Sequence, residues 1–294
     1  MRYDIAIRIA QDYDRPASTG RHILRLMPQT IPGRQQLIAG RLDVQPEAEE
    51  RADRVDFFGN SLVEIAYRAP HESIAFEVRC RVDRRTVETP AVASPPLEAL
   101  PQEIAAYASL DSFAPHHFLA RSPRVGPTLA MTAYARTLVR NDMPAFEAVE
   151  AIGHALHKDI TFDAEATTVD TPPEEAFAKK RGVCQDITHI MIACLRGVGI
   201  PAAYISGYLR TIPPPGKPRL AGADAMHAWV AAWIGTSGGW IEFDPTNDLR
   251  VAGDHIMVAR GRDYSDIAPV KGVLRTSGSQ SSKQSVDVVP LDER

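Results

Sequence analysis

The first ninety residues alternate between apolar and polar positions with the two-residue period of a half-buried β-strand. The alternation is strictest at 74–82, where Ile, Phe, Val, Cys and Val are separated by Ala, Glu, Arg and Arg. It recurs at 3–9 and 63–67, and the turn-forming run Phe58-Gly59-Asn60-Ser61 precedes one such segment. Short strands with polar outer faces predict a small β-sandwich over residues 1–90.

After residue 90 the strand period gives way to prolines and then to the helix period. Prolines recur within 86–101 and predict an extended linker, because proline removes an amide donor and fixes an extended backbone. Segments 127–140 and 144–158 have no internal proline and place apolar side chains three and four apart, so both are predicted helices. We assign residues 91–145 to a proline-rich linker and helical segment.

The longest apolar stripe begins at Gln185 and predicts a helix that ends before Pro201. Its members recur at steps of three and four residues: Ile187, Ile190, Met191, Cys194, Leu195 and Val198. Just upstream, the run Thr171-Pro172-Pro173-Glu174 has the pattern of a capping box. This run predicts a short helix that ends at Gly182.

Strand periodicity returns after Pro201, at 202–209, 226–234, 240–244 and 255–259. Gly238-Gly239 predicts a hairpin between the second and third of these strands. The proline-rich insert 211–225 is a predicted surface loop, and the Ser-, Gly- and Gln-rich segment 276–285 is a predicted mobile loop or tail. The predicted fold class is α+β, with residues 146–294 forming a core with C-terminal strands after the N-terminal sandwich.

Composition and charge exclude several classes of function. The chain has 294 residues, enough for two domains, and its formal net charge of -4 gives no electrostatic footprint for nucleic acid or an anionic membrane. No run approaches the roughly 18 apolar residues of a membrane span, and the N-terminal residues lack a signal-peptide pattern. Only 3 cysteines occur, an odd and sparse number that indicates a reducing compartment, so we expect a cytoplasmic protein.

Cys184 lies where the long helix is predicted to begin, in the run Arg181-Gly182-Val183-Cys184-Gln185-Asp186. Unpaired amide groups and the positive end of the helix dipole favour a thiolate at such a position, and Gly182 leaves room for a substrate backbone. A buried structural cysteine is the commoner alternative. Cys80, on the inward face of a strand, and Cys194, on the apolar stripe, fit that alternative.

His227 and Asp244 complete a nucleophile–base–orienter set with Cys184. His227 begins one predicted strand and Asp244 ends the next, so a hairpin brings both side chains to the same open end of the sheet. A cysteine at a helix start that faces a histidine held by an aspartate can carry nucleophilic catalysis. A single strand histidine is more often structural, and the prediction therefore depends on the three residues together.

The motifs around these residues resemble the bacterial transglutaminase-like family. They are Gly182-Val183-Cys184-Gln185-Asp186, the run at 195–208, His227-Ala228-Trp229 and Phe243-Asp244-Pro245-Thr246-Asn247. Their order, Cys then His then Asp, matches the core of that family. Residues 1–90 resemble its N-terminal β domain, and Gly261-Arg262-Asp263-Tyr264 is also similar. The resemblance implies a papain-like, transglutaminase-like core in which the Cys-bearing helix packs on an antiparallel sheet.

Resemblance and residues together predict a cysteine-dependent acyl-transfer enzyme that uses no cofactor. Its substrate would be a peptide or protein, attacked at an amide bond in a glutamine side chain or an isopeptide and held as a Cys184 thioester. Trp229, Gln185 and Tyr204 are the predicted substrate-binding residues. Trp229 would wall the site, and the other two are candidate donors to the oxyanion beside the backbone N–H of Cys184.

Two alternatives stay open at this stage. The first is a cysteine protease or amidase with the same triad, which an added amine would distinguish by competing, or failing to compete, with water for the thioester. The second is a non-catalytic interaction module on the same fold. An intact Cys, His and Asp set argues against the second, because a binding scaffold does not need all three.

No metal site is predicted from the sequence. His154 and His157, three residues apart on a predicted helix, are one candidate pair, and His116-His117 is another. No cysteine or carboxylate cluster completes either set. The sequence does not fix the oligomeric state.

Overall fold

A computed structural model of the chain describes residues 1–85, 93–212, 220, 222 and 224–291. The strands are β1 Arg2–Ala17, β2 Thr19–Leu24, β3 Gln35–Gln45, β4 Glu50–Val55, β5 Ser61–Tyr67, β6 His71–Arg84, β7 Thr161–Phe162, β8 Arg181–Gly182, β9 Ala202–Leu209, β10 Ala225–Trp233, β11 Trp240–Asp244, β12 Leu249–Arg250, β13 His255–Gly261, β14 Val270–Arg275 and β15 Gln280–Pro290. The α-helices are α1 Leu100–Ala106, α2 Leu129–Leu138, α3 Ala145–Asp159, α4 Pro173–Lys179, α5 Cys184–Gly197 and α6 Tyr264–Ile267.

Two four-stranded antiparallel sheets form the N-terminal sandwich, in the orders β15-β1-β6-β3 and β14-β2-β5-β4. The alternation in β6 sets its orientation, since Phe76, Val78, Cys80 and Val82 are buried while Arg79 and Arg81 between them are exposed. Inward residues of both sheets belong to one hydrophobic cluster. The predicted β-sandwich and the α+β class are confirmed.

The C-terminal strands belong to this sandwich and not to the core. β15 pairs with β1 from Tyr3↔Pro290 to Tyr13↔Gln280, and β14 pairs with β2. The predicted mobile tail at 276–285 is therefore wrong from Gln280 onward, and the predicted core over 146–294 has its last sheet strand at β13. The physical reason is that β15 is an edge strand whose first five residues are exposed, so its composition resembles that of a coil.

Only part of the predicted proline-rich linker lies among the described residues, since 86–92 do not. Within the rest, 93–101, Pro96 has an extended backbone as predicted, but the chain is helical from Leu97 onward. The carbonyl of Pro95 accepts from Ala145 N at 2.9 Å, and a 3-10 helix at Leu97–Ala99 leads directly into α1. Proline lies inside the first turn of α1, where its missing N–H costs nothing.

α5 packs against β9 and β10 of a five-stranded antiparallel sheet in the order β12-β11-β10-β9-β13. Helices α2, α3 and α4 contact its other sides, so the helix is buried nearly all round and not only along the predicted stripe. The predicted helices 127–140 and 144–158 appear as α2 and α3. None of the helices in the described parts of the chain has the length and apolarity that crossing a bilayer requires.

The hairpin predicted from Gly238-Gly239 joins β10 to β11, with Trp233 opposite Trp240. Gly239 adopts a positive φ of 63°, and its carbonyl accepts from Ile234 N at 2.9 Å. The predicted loop 211–225 lies largely outside the described residues. At its base, Asp224 Oδ1 accepts from the backbone N and the hydroxyl of Thr211, both at 2.7 Å.

The short helix before Cys184 differs from its prediction at both ends. α4 begins after Pro172, which has no side-chain cap, so the run Thr171-Pro172-Pro173-Glu174 does not form a capping box. The helix ends at Lys180, which adopts a left-handed φ of 54°, and Gly182 instead lies in the short strand β8. Ending two residues earlier lets β8 pair with β7 and lead into α5.

Two buried amide side chains of the sandwich hydrogen-bond to the backbone of β13, one of the two edge strands of the core sheet. Gln35 accepts from Met257 N at 2.9 Å and donates to Met257 O at 2.8 Å. Asn60 accepts from Arg260 N and donates to Arg260 O, both at 2.8 Å. Each amide side chain satisfies the backbone N–H and C=O of one β13 residue, as a neighbouring strand would. These amides therefore cover this edge of the sheet.

Candidate active site

Cys184 is the first residue of α5 and is partly exposed, whereas Cys80 and Cys194 are buried. Asp186, two residues further on, accepts from Val183 N at 2.9 Å through Oδ2 and so caps the helix start. Because a Cβ on Gly182 would lie 2.7 Å from that oxygen, glycine is required there to let Asp186 fold back. Gly182 thus makes room for the side chain of Asp186, whereas the sequence had suggested room for a substrate backbone. Asp186 in turn fixes the backbone that carries the Cys184 thiol.

His227 lies on β10 and is nearly buried, and its Nε2 donates to Asp244 Oδ2 at 2.7 Å. Cys184 also acts on the imidazole, both through a side-chain hydrogen bond and through its charge. Burial lowers the pKa of His227, but hydrogen bonds and charge interactions with Asp244 and Cys184 outweigh it and raise the pKa to about 10. The site therefore favours an imidazolium beside the sulfur, which is the arrangement that holds a cysteine as thiolate.

Asp244 is fully buried at the end of β11, and both of its oxygens are occupied. Oδ1 accepts from the backbone N of Thr246 and of Asn247, at 2.9 and 3.1 Å. Burial alone would raise its pKa, but hydrogen bonds from His227, His255 and Asn247, together with the charge of His227, hold the pKa well below its usual range. The carboxylate stays ionised, so it can hold His227 in one orientation and stabilise its positive charge.

Sequence reasoning missed two partners of Asp244. His255 Nε2 lies 3.0 Å from Oδ2, and Asn247 Nδ2 donates to the same oxygen at 2.7 Å while lying 3.3 Å from His227 Nε2. Asn247 lies in the motif Phe243-Asp244-Pro245-Thr246-Asn247, so its closeness to Asp244 along the chain could have indicated its role. His255 begins β13, which reaches the site only because β13 pairs with β9 and β9 with β10. No local pattern reveals that order.

Trp229, the predicted wall of the site, is fully buried on the same strand as His227. Its ring lies 6.2 Å from the imidazole, nearly parallel, and its Nε1 donates to Glu242 Oε2 at 2.9 Å. Gly207 makes room for the ring, since a Cβ there would lie 2.5 Å from Trp229 Cη2. As placed, this side chain backs the histidine and presents no surface to a substrate.

Gln185 and Tyr204, the other predicted substrate-binding residues, are also buried. The amide of Gln185 donates to Val169 O at 3.1 Å, and the ring of Tyr204 lies 4.9 Å from that of His189. The Gln185 amide is thus engaged, whereas the ring contact of Tyr204 does not occupy its hydroxyl. Their contact with a substrate stays a prediction, and the backbone N–H of Cys184, which has no intrahelical partner at the first helical position, is the more direct oxyanion donor.

The histidines considered as metal ligands do not come together in pairs. His154 pairs with Asp248, and His157 faces Thr246 O at 3.1 Å. Nε2 of His116 and of His117 each lie near a backbone carbonyl, of Tyr107 and of Asp111 respectively. Each ring therefore has its own local partner.

A different group has metal-like spacing among the described residues. The ligand atoms of His227, Asp244 and His255 lie within 4.8 Å of one another. Both imidazoles already share Asp244 Oδ2, so an ion there would have to replace these hydrogen bonds. The arrangement suits proton transfer better than metal binding, and the absence of a metal stays a prediction.

Comparison with known proteins agrees with this geometry. The profile of the transglutaminase-like superfamily matches residues 132–245, and that of the bacterial transglutaminase-like N-terminal region matches residues 3–83. An uncharacterized protein of Mycobacterium tuberculosis is 35% identical over 272 residues, covering 88% of this chain and 83% of its own length. One of Mycobacterium leprae is 29% identical over 282 residues, covering 95% of each.

A solved structure shares the whole fold. It is a candidate cysteine protease of Cytophaga hutchinsonii, with a TM-score of 0.77 and 21% identity, covering 100% of this chain and 92% of that one. The N-terminal sandwich and the core are therefore found together in a solved protein. At this identity the likeness supports the fold alone.

Proposed function

We propose, on the premise that this chain belongs to the transglutaminase-like superfamily, that it transfers acyl groups from amide bonds of peptides or proteins through a thioester on Cys184. Membership of this superfamily supports a cysteine-dependent enzyme. One observation supports the finer proposal: buried His227 is hydrogen-bonded to Asp244 at 2.7 Å, and Asp244 and Cys184 both raise its pKa. This is the relation that activates a thiol and then serves a leaving group.

The first half-reaction forms the thioester. The Cys184 thiolate attacks the amide carbonyl carbon, a C–S bond forms, and the carbonyl electrons move to oxygen, near the backbone N–H of Cys184. When the oxyanion collapses, the C–N bond breaks and the departing nitrogen takes the proton held by His227. Ammonia or an amine leaves, and His227 becomes neutral.

The second half-reaction releases the acyl group. Neutral His227 accepts a proton from an incoming water or amine as that nucleophile attacks the thioester carbonyl. The C–S bond breaks and the thiolate returns beside an imidazolium. Asp244 keeps Nε2 of His227 occupied throughout, so the other ring nitrogen faces the sulfur and the incoming nucleophile.

The acceptor decides between two products. Water gives hydrolysis, the activity that the description of the Cytophaga hutchinsonii protein names, and a primary amine gives transamidation. The buried polar network behind the thiol supports both equally, since it acts on the sulfur and the proton and not on the acceptor. A purely structural module gains nothing from a buried histidine charged beside a cysteine.

The test is to trap the thioester and then compete for it. A glutamine-containing peptide is mixed with the full chain, with and without a primary amine, and intact-mass spectrometry follows the acyl adduct. We expect an adduct on the wild type and on a Cys194→Ala control, and none on Cys184→Ala. Amine-dependent product indicates transamidation, and amine-independent acid indicates hydrolysis. An adduct on Cys184→Ala, or none on any protein with any peptide amide, contradicts the proposal.

A further inference from the structure

Several arginines line a cavity of about 190 Å³ between the sandwich and β11, and Cys184 is not among its lining residues. Its charged lining residues are Arg34, Arg84, Arg85, Arg250, Glu150 and Glu242. Arg34, Arg84 and Arg85 come from the sandwich side, and Arg250 and Glu242 from the core sheet. None of these groups takes part in the chemistry proposed for Cys184.

The charges in this cavity do not balance. Arg34 pairs with Glu242 at 2.7 Å, and Arg250 pairs with Glu150 at 2.5 Å. Both carboxylates are thereby used. Within the described parts of the chain, neither Arg84 nor Arg85 has a carboxylate within the 4.0 Å of an ion pair, which leaves two positive charges uncompensated.

Arg84 is the more unusual of the two because it is 3% exposed. Among the described residues, its Nε has no hydrogen-bond partner, and the contact that its Nη1 makes with Arg34 O is long, at 3.3 Å. It continues the inward stripe of β6 two residues after Val82, where an apolar side chain is the expected choice. An unpaired buried charge is costly and is retained where it binds something.

The backbone holds the neighbouring cations in place. The carbonyl of Arg34 accepts from Arg85 N at 2.9 Å as well as from the side chain of Arg84, so three arginines converge on one peptide group. Burial and the positive charge of Arg34 lower the pKa of Arg84, although Glu242 acts in the opposite direction. Like charges held together in this way create a positive potential that favours an anion.

We infer that this cavity binds a small oxyanion with two negative charges, of the phosphate or phosphate-ester class. Two free guanidinium groups match two negative charges, and planar guanidinium forks match the oxygens of a phosphate. The cavity is smaller than the roughly 300–1,000 Å³ of drug-sized ligands, which favours a compact anion over a nucleotide. Arg85 and Arg250 are exposed at its mouth, so an ion can enter from solvent while Arg84 closes the inner end.

The experiment titrates inorganic phosphate, and separately glycerol phosphate, into the full chain by calorimetry at constant ionic strength set with chloride. Arg84→Met removes the inner charge with little change in volume, and Arg85→Met removes the outer one. Arg41→Met is the matched control, because Arg41 is exposed and already pairs with Asp43. We expect saturable binding to the wild type and to the control, and at least a tenfold weaker affinity in each of the other two variants.

Binding of both ligands identifies a site for the phosphate group itself, and binding of glycerol phosphate alone identifies a site for esters. No saturable binding to the wild type overturns the inference. It is also overturned if Arg84→Met and Arg85→Met, shown by circular dichroism to be folded, bind phosphate as tightly as the wild type does. Glu88→Gln tests whether a carboxylate outside the described residues neutralises the arginines. If only that variant binds phosphate, the chain neutralises its own arginines and the inference fails.

Discussion

Replacing Asp244 with asparagine isolates the charge of the orienting group, because the two side chains have the same shape. Oδ2 of Asp244 accepts from three side chains, His227, His255 and Asn247. An amide has one acceptor oxygen, which the two backbone donors at Oδ1 occupy. The NH₂ group would then face three donors, and at least one imidazole must change its tautomer.

The expected loss follows from the four influences that raise the pKa of His227. Two come from Asp244 and two from Cys184. Removing the carboxylate charge takes away both influences of Asp244, so the pKa of His227 falls from about 10 towards its ordinary value and the imidazolium is less strongly favoured over the neutral ring. With the tautomer change added, we expect acylation to slow roughly 10- to 1,000-fold, less than the ~10⁴ seen in serine enzymes, because the thiolate forms before substrate binds.

The assay is single-turnover acylation of a glutamine-containing peptide at neutral pH. Asp248→Asn is the matched control, since it makes the same chemical change at an exposed neighbour that pairs with His154. Circular dichroism and a urea midpoint verify that each variant is folded. Cys184→Ala should give no adduct, and His227→Ala should be nearly as damaging.

Two results would refute this reasoning. If folded Asp244→Asn acylates at the wild-type rate while His227→Ala is inactive, Asp244 is a structural strand-end residue and another group orients the base. If Asp248→Asn slows the reaction as much as Asp244→Asn, the loss reports a general change of charge near the site. In that case the hydrogen bonds at Oδ2 do not explain it.

Three further predictions follow from the same geometry. Iodoacetamide at neutral pH should label Cys184 much faster than Cys80 or Cys194, whose burial raises their pKa to about 12, and equal rates by peptide mass spectrometry would contradict this. His255→Leu should slow acylation roughly 10- to 100-fold by removing one hydrogen bond to a carboxylate, and His255→Gln, which retains a donor, should recover part of the rate. The pKa of folded His227 is about 10, so its stabilising contribution is complete below about pH 6.5 and is lost as pH rises towards 10. Urea midpoints of the wild type should therefore fall over that pH range, and those of His227→Gln should fall less.

The sequence predicted the triad because each member lies next to a local signal. Cys184 begins a helix with a strong apolar stripe, and a two-glycine turn joins the strands of His227 and Asp244. Elements joined by a tight turn are neighbours in space, so their order along the chain is enough. His255 lacks such a signal, because its strand reaches the site through β9, which precedes it by nearly fifty residues.

Burial of the polar residues was equally hard to predict. The stripe on α5 indicated one apolar face, yet α2, α3, α4 and the sheet surround the helix and bury Gln185 and Tyr204 as well. Periodicity reports which face is apolar and not how many neighbours cover the others. Which side chains a substrate can reach depends on how the neighbouring elements cover the helix, so the substrate contacts could not be predicted from periodicity alone.

The pairing of β15 with β1 has a consequence for how the protein is made. Because β1 and β2 precede the core along the chain while β14 and β15 follow it, the two sheets of the sandwich stay incomplete until residue 290 has been synthesised. The core from α2 to β13 is complete in sequence before that point, so it can acquire its fold while the sandwich still has open edges on β1 and β2. Those edges are exposed to pairing with other nascent chains for the whole interval. The sandwich is therefore begun before the core and completed after it. A premature stop after β13 would leave Cys184, His227 and Asp244 in the chain but would leave β1 and β2 without β15 and β14 as partners.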